Sequence, residues 1–190
     1  PDSGKIYLDS KPVRFRSHED AIKAGIGYVS EDRLTLGLVL QQSVADNTVL
    51  AILDQLRGRF HLIDEYRKNK LILQWIEKLG VKVSDPDQAI ATLSGGNQQK
   101  IVLAKWVLTQ PKILILDSPT VGVDVGAKAS IYALIHQLAD EGISVLLISD
   151  EVPEVYFNCD RVLHVSEGRI LGEYLPQNIS QQQLAEAVNA

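Results

Sequence analysis

Apolar positions along this chain switch between a two-residue and a three-to-four-residue spacing, and the switches divide it into alternating strands and helices. Residues 4 to 13 read as two short strands about Asp9-Ser10, with Ile6, Leu8 and Val13 apolar and Pro12 confining the second strand to an edge. His18 to Ala24 reads as a short helix stopped by Gly25, followed by the strand Ile26 to Ser30, with Glu31-Asp32-Arg33 directly after it. Ser43 is placed to cap a helix reaching Leu56, with Val49, Leu50 and Leu53 on one face. Ile72, Trp75, Ile76 and Leu79 stand at i, i+3, i+4 and i+7 before the stop at Gly80, a spacing that predicts core. A helix over 97–109 carries Ile101, Ala104 and Leu108 on one side, and Pro111 forbids its continuation.

The strand Ile113 to Asp117, a helix over 126–141 stopped by Gly142, and the strand Ser144 to Ile148 form a βαβ unit. A right-handed crossover places both strands in one parallel sheet, with Asp117 and Asp150 at the carboxyl ends where ligands of α/β folds gather. Arg161 to Val165 and Arg169 to Tyr174 read as a hairpin across Ser166-Glu167-Gly168, before a short terminal helix near Ser180 to Val188.

Composition narrows the class. With 190 residues, 45% of them hydrophobic, the chain buries a sizeable core and suits one domain with a helical lobe attached. The longest apolar runs, Ile113 to Leu116 and Val145 to Ile148, fall far short of a bilayer, and no basic-then-apolar segment opens the chain, so a membrane role is expected to be peripheral. A net charge of −5 without a lysine or arginine cluster argues against a nucleic-acid partner. Cys159, the single cysteine, forms no internal disulfide, in keeping with a reducing compartment. The histidines at 18, 61, 136 and 164 lack metal-ligand spacing.

The chemistry concentrates in Leu93-Ser94-Gly95-Gly96-Asn97-Gln98-Gln99-Lys100 and in the strand ending at Asp117. A Ser-Gly-Gly turn at a helix start offers backbone N–H groups and the positive end of the helix dipole, and its glycines allow an anion close to the backbone. A carboxylate at a strand end holds Mg²⁺ through water, because magnesium keeps several of its waters.

These two stretches resemble the signature motif and the Walker B strand with D-loop, Leu116 to Asp124, of ATP-binding cassette (ABC) ATPases. Asn97-Gln98-Gln99-Lys100 and Asp124-Val125-Gly126-Ala127-Lys128 are most similar to the carbohydrate-uptake branch, whose chains often fuse two ATPase halves; this chain resembles the second half. The resemblance implies an α/β fold, a P-loop NTPase-like parallel-sheet core with an inserted helical subdomain over about 34–95, and core parts at 1–33 and 96–190. It assigns Ser94, Gly95, Gly96, Gln98, Glu31 and Asp124 to nucleotide binding and Asp117 to the metal, with ATP and Mg²⁺ as cofactors of the complete assembly. The implied partners are a second ATPase half, a membrane permease engaged through a coupling helix and, indirectly, a sugar-binding protein, all at the cytoplasmic face of the inner membrane. A groove for that coupling helix is expected among Leu50, Leu53, Trp75 and Ile76, which a closed helical core explains equally well.

Departures from the family pattern are equally specific. No Gly-x-x-x-x-Gly-Lys-Ser/Thr phosphate loop occurs; the chain reads as beginning after it, without the N-terminal P-loop strand and with a sheet edge left open to aggregation or swapped pairing. Ser118 stands where the family has a water-activating glutamate, and a serine hydroxyl is a poor base near neutrality. Asp150 takes the switch-histidine position, and Glu31 the place of a Q-loop glutamine. The chain alone is therefore expected to be inactive, with a catalytically degenerate regulatory or scaffold module as the alternative to a working importer ATPase. A translation or DNA-repair ABC protein is a third reading, disfavoured by the acidic balance.

Overall fold

Three parallel strands in the order β3 (Ile26–Val29), β4 (Ile113–Asp117) and β5 (Ser144–Ile148) organise the described residues, 4–189, of this computed structural model. The register pairs Val29 with Leu116 and Asp117 with Ile148, so the carboxyl ends of all three strands meet at one edge. Strand alternation buries Val29, Leu114 and Leu116 completely beneath α4 (Gly95–Val107) and α5 (Val125–Asp140), whose Ile101, Leu103, Ile131 and Leu138 join the same core. Each buried leucine or isoleucine contributes about 1.5–3 kcal/mol by leaving water. On the opposite face Tyr28, Leu146 and Ile148 stay between 44% and 50% exposed.

Ahead of the sheet, β1 (Ile6–Leu8) and β2 (Lys11–Val13) pair antiparallel across Asp9 and Ser10, both at positive φ, as the tightest hairpin turn demands. α1 (His18–Lys23) is capped by the Ser17 hydroxyl and ends at Gly25, with φ of +88°. The helical region comprises α2 (Val44–Val49) and α3 (Glu65–Lys78) with short 3₁₀ turns. Gly80 closes α3 by donating to Glu77 O while Val81 donates to Ile76 O, and Gly142 and Ile143 close α5 in the same way. This region has a small apolar cluster of its own about Val49, Ile52, Leu56 and Ile72, yet Leu108, the C-cap of α4, joins that cluster while most apolar side chains of α4 join the sheet core. Downstream lie α6 (Val152–Asn158), the hairpin β6 (Val162–Ser166) and β7 (Arg169–Tyr174), and α7 (Gln181–Asn189).

Several elements differ from the pattern reading. The helix expected from Ser43 to Leu56 keeps α geometry only to Val49 and tightens into a 3₁₀ helix over Leu50–Leu56. Thr48 Oγ1 donates to Val44 O at 2.8 Å, a back-bond that bends helices at this point. Residues Arg33–Gly37 form a π-type turn capped by Asp32, a geometry without a periodic signature. α6 has no counterpart among the expected elements, although Val152, Val155 and Tyr156 carry helical spacing about Pro153. Trp75, Ile76 and Leu53 are partly buried against the cores, so they are closed helical packing, whereas Leu34, Leu36, Val39 and Leu50 are exposed.

Candidate functional site

The site residues fall into two groups. The first surrounds the start of α4. Ser94 is its N-cap by backbone conformation, yet no side chain caps the helix, because the Ser94 hydroxyl instead accepts from Asn97 Nδ2 at 3.0 Å. The first-turn N–H groups therefore open on a cleft of about 350 Å³ lined by Ser94, Gly96, Asn97, Asp124, Gly126 and Ser130. Lys82 and Lys100 also line it. Burial, and then the like charge of Lys82, pushes the Lys100 amine below its ordinary value, and Lys100 Nζ donates to Gly80 O at 3.1 Å.

Packing within the chain also explains the two glycines of the turn. A Cβ on Gly96 would lie 2.5 Å from Ala127 Cβ, where α4 meets the first turn of α5. A Cβ on Gly95 would lie 3.0 Å from Gly122 O and 2.9 Å from an Arg33 guanidinium nitrogen. Close approach of an anion thus accounts for only part of this Gly-Gly pair. Gln98 is buried, and its Nε2 donates to Ile90 O at 3.3 Å, so it braces the turn from beneath. Asp124 lines the cleft while its carboxylate caps α5 through Ala127 N at 2.9 Å.

The second group lies at the carboxyl edge of the sheet. Tyr28 reaches diagonally across the strand pair and donates its hydroxyl to Asp117 Oδ2 at 2.8 Å; that bond raises the tyrosine pKa. Asp117 keeps Oδ1 for another partner, which fits a single carboxylate contact to a hydrated Mg²⁺. Among the described residues no group of three or more His, Cys, Asp or Glu is placed to hold a metal. Ser118 follows with φ of +44°, a left-handed conformation that costs a non-glycine residue about 1 kcal/mol, while its N–H donates to Ile148 O. Glu31 and Asp150 are exposed at the ends of their strands. None of Asp117, Ser118, Asp150 or Glu31 lines the cleft at α4.

Between the groups runs a polar network that sequence reasoning missed. Glu154 of α6 is 8% exposed and accepts from Thr120 Oγ1 at 2.5 Å, Ser149 Oγ at 2.8 Å and Lys128 Nζ at 3.0 Å. Burial pushes this carboxyl up, but the hydrogen bonds outweigh burial and hold it at about 2. The turn after Asp117, the loop after β5 and the first turns of α5 are thereby tied to one carboxylate. The only sequence cue to it is an acid four residues past Asp150 and just after Pro153, a residue favoured in the first turn of a helix.

The ABC transporter family profile matches residues 1–121. The chain is 47% identical over 184 residues, 97% of its length, to the xylose import ATP-binding protein XylG of Escherichia coli K12, and equally to that of Shigella flexneri serotype 5b. It spans 36% of the length of these curated relatives. Among solved structures it superposes on cbiO1 from Clostridium perfringens, part of the ABC transporter complex cbiONQ, with a TM-score of 0.76 at 25% identity, covering 100% of this chain and 73% of that one. The ATP-binding cassette MJ1267 gives a TM-score of 0.80 at 18% identity, covering 100% of this chain and 78% of that one.

Proposed function

We propose, because this chain belongs to the ABC transporter family of ATP-binding domains, that it is an energy-coupling portion of a carbohydrate importer. In this reading it lends its signature turn to a nucleotide held mainly by another ATPase half. The observation that carries this is the separation of the two groups: the uncapped start of α4 opens on a cleft with Asp124 and two lysines, apart from Asp117 and Ser118. Backbone N–H groups, the helix dipole and the Lys82 and Lys100 ammonium groups there suit the terminal phosphate of ATP presented from outside the chain.

At the other group Asp117 would hold Mg²⁺, which would supply charge neutralisation of the phosphates. Tyr28 fixes the rotamer of that carboxylate by occupying Oδ2. The helical region, about 34–95, is assigned to the permease's coupling helix, with the exposed apolar side chains Leu34, Leu36 and Val39 in place of the closed Trp75 face. The peripheral position assigned, at the cytoplasmic face of the inner membrane, follows from the likeness to import ATP-binding proteins; among the described residues no helix is long and apolar enough to cross a membrane. A sugar-binding protein is then an indirect partner. Because the relatives are named for xylose import, the substrate class assigned is a sugar.

Ser118 and Asp150 favour a second reading, a family member that retains the fold and signature face as a regulatory module without turnover. The first reading is tested by Ser94→Arg in the complete transporter. Filling the cleft with a side chain that competes for the phosphate abolishes ATP hydrolysis and sugar uptake; activity within twofold of the parent overturns the signature role.

A further inference from the structure

Arg33 joins segments that the proposed function treats separately. Its guanidinium donates to Val121 O at 2.6 Å and to Gly122 O at 3.0 Å, gripping two consecutive carbonyls of the D-loop from the loop that follows β3. Gly122, at φ of +67°, leaves room for this grip, since a Cβ there would lie 3.3 Å from the guanidinium. The same group passes under Gly95 at the start of the signature helix.

The other end of the Arg33–Gly37 turn is fixed as well. Lys105 of α4 is buried, and its Nζ donates to Gly37 O at 2.5 Å. The turn is thus a strut, held at one end to the D-loop and at the other to the signature helix. Between those anchors it exposes Leu34 and Leu36, the latter 73% exposed.

We propose that Arg33 is a positioning residue that makes the D-loop and the signature turn move as one body with the apolar Arg33–Gly37 strut. This rests on the assignment of the strut's apolar side to the permease. A push on Leu34 or Leu36 is then delivered to Val121 and Gly122 by two charge-assisted hydrogen bonds. Arginine is required because its planar fork spans two carbonyls, whereas lysine reaches one.

The test has two arms. In this chain, hydrogen exchange of the amides at 121–124 is compared for the parent, Arg33→Ala and Arg33→Lys. Loss of both bonds speeds exchange by about tenfold or more in Arg33→Ala, Arg33→Lys is intermediate, and exchange in β4 and α5 stays at the parental rate. In the complete transporter, kcat for ATP hydrolysis falls by about tenfold in Arg33→Ala while KM for ATP stays within about twofold, and Arg33→Lys recovers part of kcat. A general folding defect moves exchange throughout the sheet and is not rescued by lysine. Unchanged exchange at 121–124 in Arg33→Ala overturns the proposal. So does faster exchange with unchanged kcat in a transporter that Ser94→Arg inactivates. If Ser94→Arg retains activity, the functional reading fails while the clamp still stands or falls on exchange alone.

Discussion

The cleft at the start of α4 and the carboxyl edge of the sheet hold the same kinds of residue, small polar groups and carboxylates, but they are finished to different degrees. At the cleft each part is braced from within the chain: Gly96 by Ala127, Gly95 by Arg33 and Gly122, Gln98 by Ile90 O. At the sheet edge Asp117 has one hydroxyl partner, Ser118 stands where the family resemblance implies a carboxylate, and the apolar face beside them is exposed at Tyr28, Leu146 and Ile148. A preorganised surface with uncapped donors is suited to receive a ligand, while a lone carboxylate needs further groups to become a site. The difference teaches that, under the proposed function, the cleft is a preorganised face for a phosphate while the sheet edge contributes a carboxylate that depends on groups from elsewhere.

The comparison breaks most visibly if the edge is given its missing base. Ser118→Glu in the complete transporter is expected to raise ATP hydrolysis by about a hundredfold at the composite site built on this half, the range of a positioned general base. An unchanged rate, measured by phosphate release, favours the module without turnover. Breaking the cleft has the next largest effect. In Gly96→Val the added side chain meets Ala127 at a distance no Cβ contact tolerates, so α4 and α5 must separate. Thermal or urea unfolding should report a loss of about 3 kcal/mol.

The network that ties the two groups together sharpens the contrast through pH. The Glu154 carboxyl titrates at about 2 in the folded chain against an ordinary 4.5. Because the folded value is the lower one, the stability it contributes, up to about 3 kcal/mol, is complete above the ordinary value and is lost as pH falls through the window between the two. Urea unfolding from pH 6 to about 2 should show that loss in the parent and a flatter profile in Glu154→Gln.

Much of this was legible in the sequence. Strands β3, β4 and β5, helix α5 and the glycine stops at 25, 80 and 142 follow from periodicity and φ preference, which act locally. Ser94, Gly95 and Gly96 were legible as a motif, and Ser94 and Gly96 line one cleft with Asp124. What was not legible depends on contacts across long sequence separations. Arg33 finds Val121 and Gly122 nearly ninety positions away, Tyr28 finds Asp117 through strand register, and Glu154 collects Thr120 and Lys128 through the packing of α6. The Gly-Gly pair shows the same limit, since only the neighbours Ala127 and Arg33 show that its missing side chains serve packing within the chain.

The central claim, a signature face that serves a nucleotide held elsewhere, is tested most directly by calorimetric titration of MgATP into this chain alone. With no Gly-x-x-x-x-Gly-Lys-Ser/Thr loop in its sequence to cradle the triphosphate, the chain should give no saturable heat up to about 1 mM nucleotide. Stoichiometric binding at micromolar affinity would show that the chain holds ATP by itself and would contradict the account.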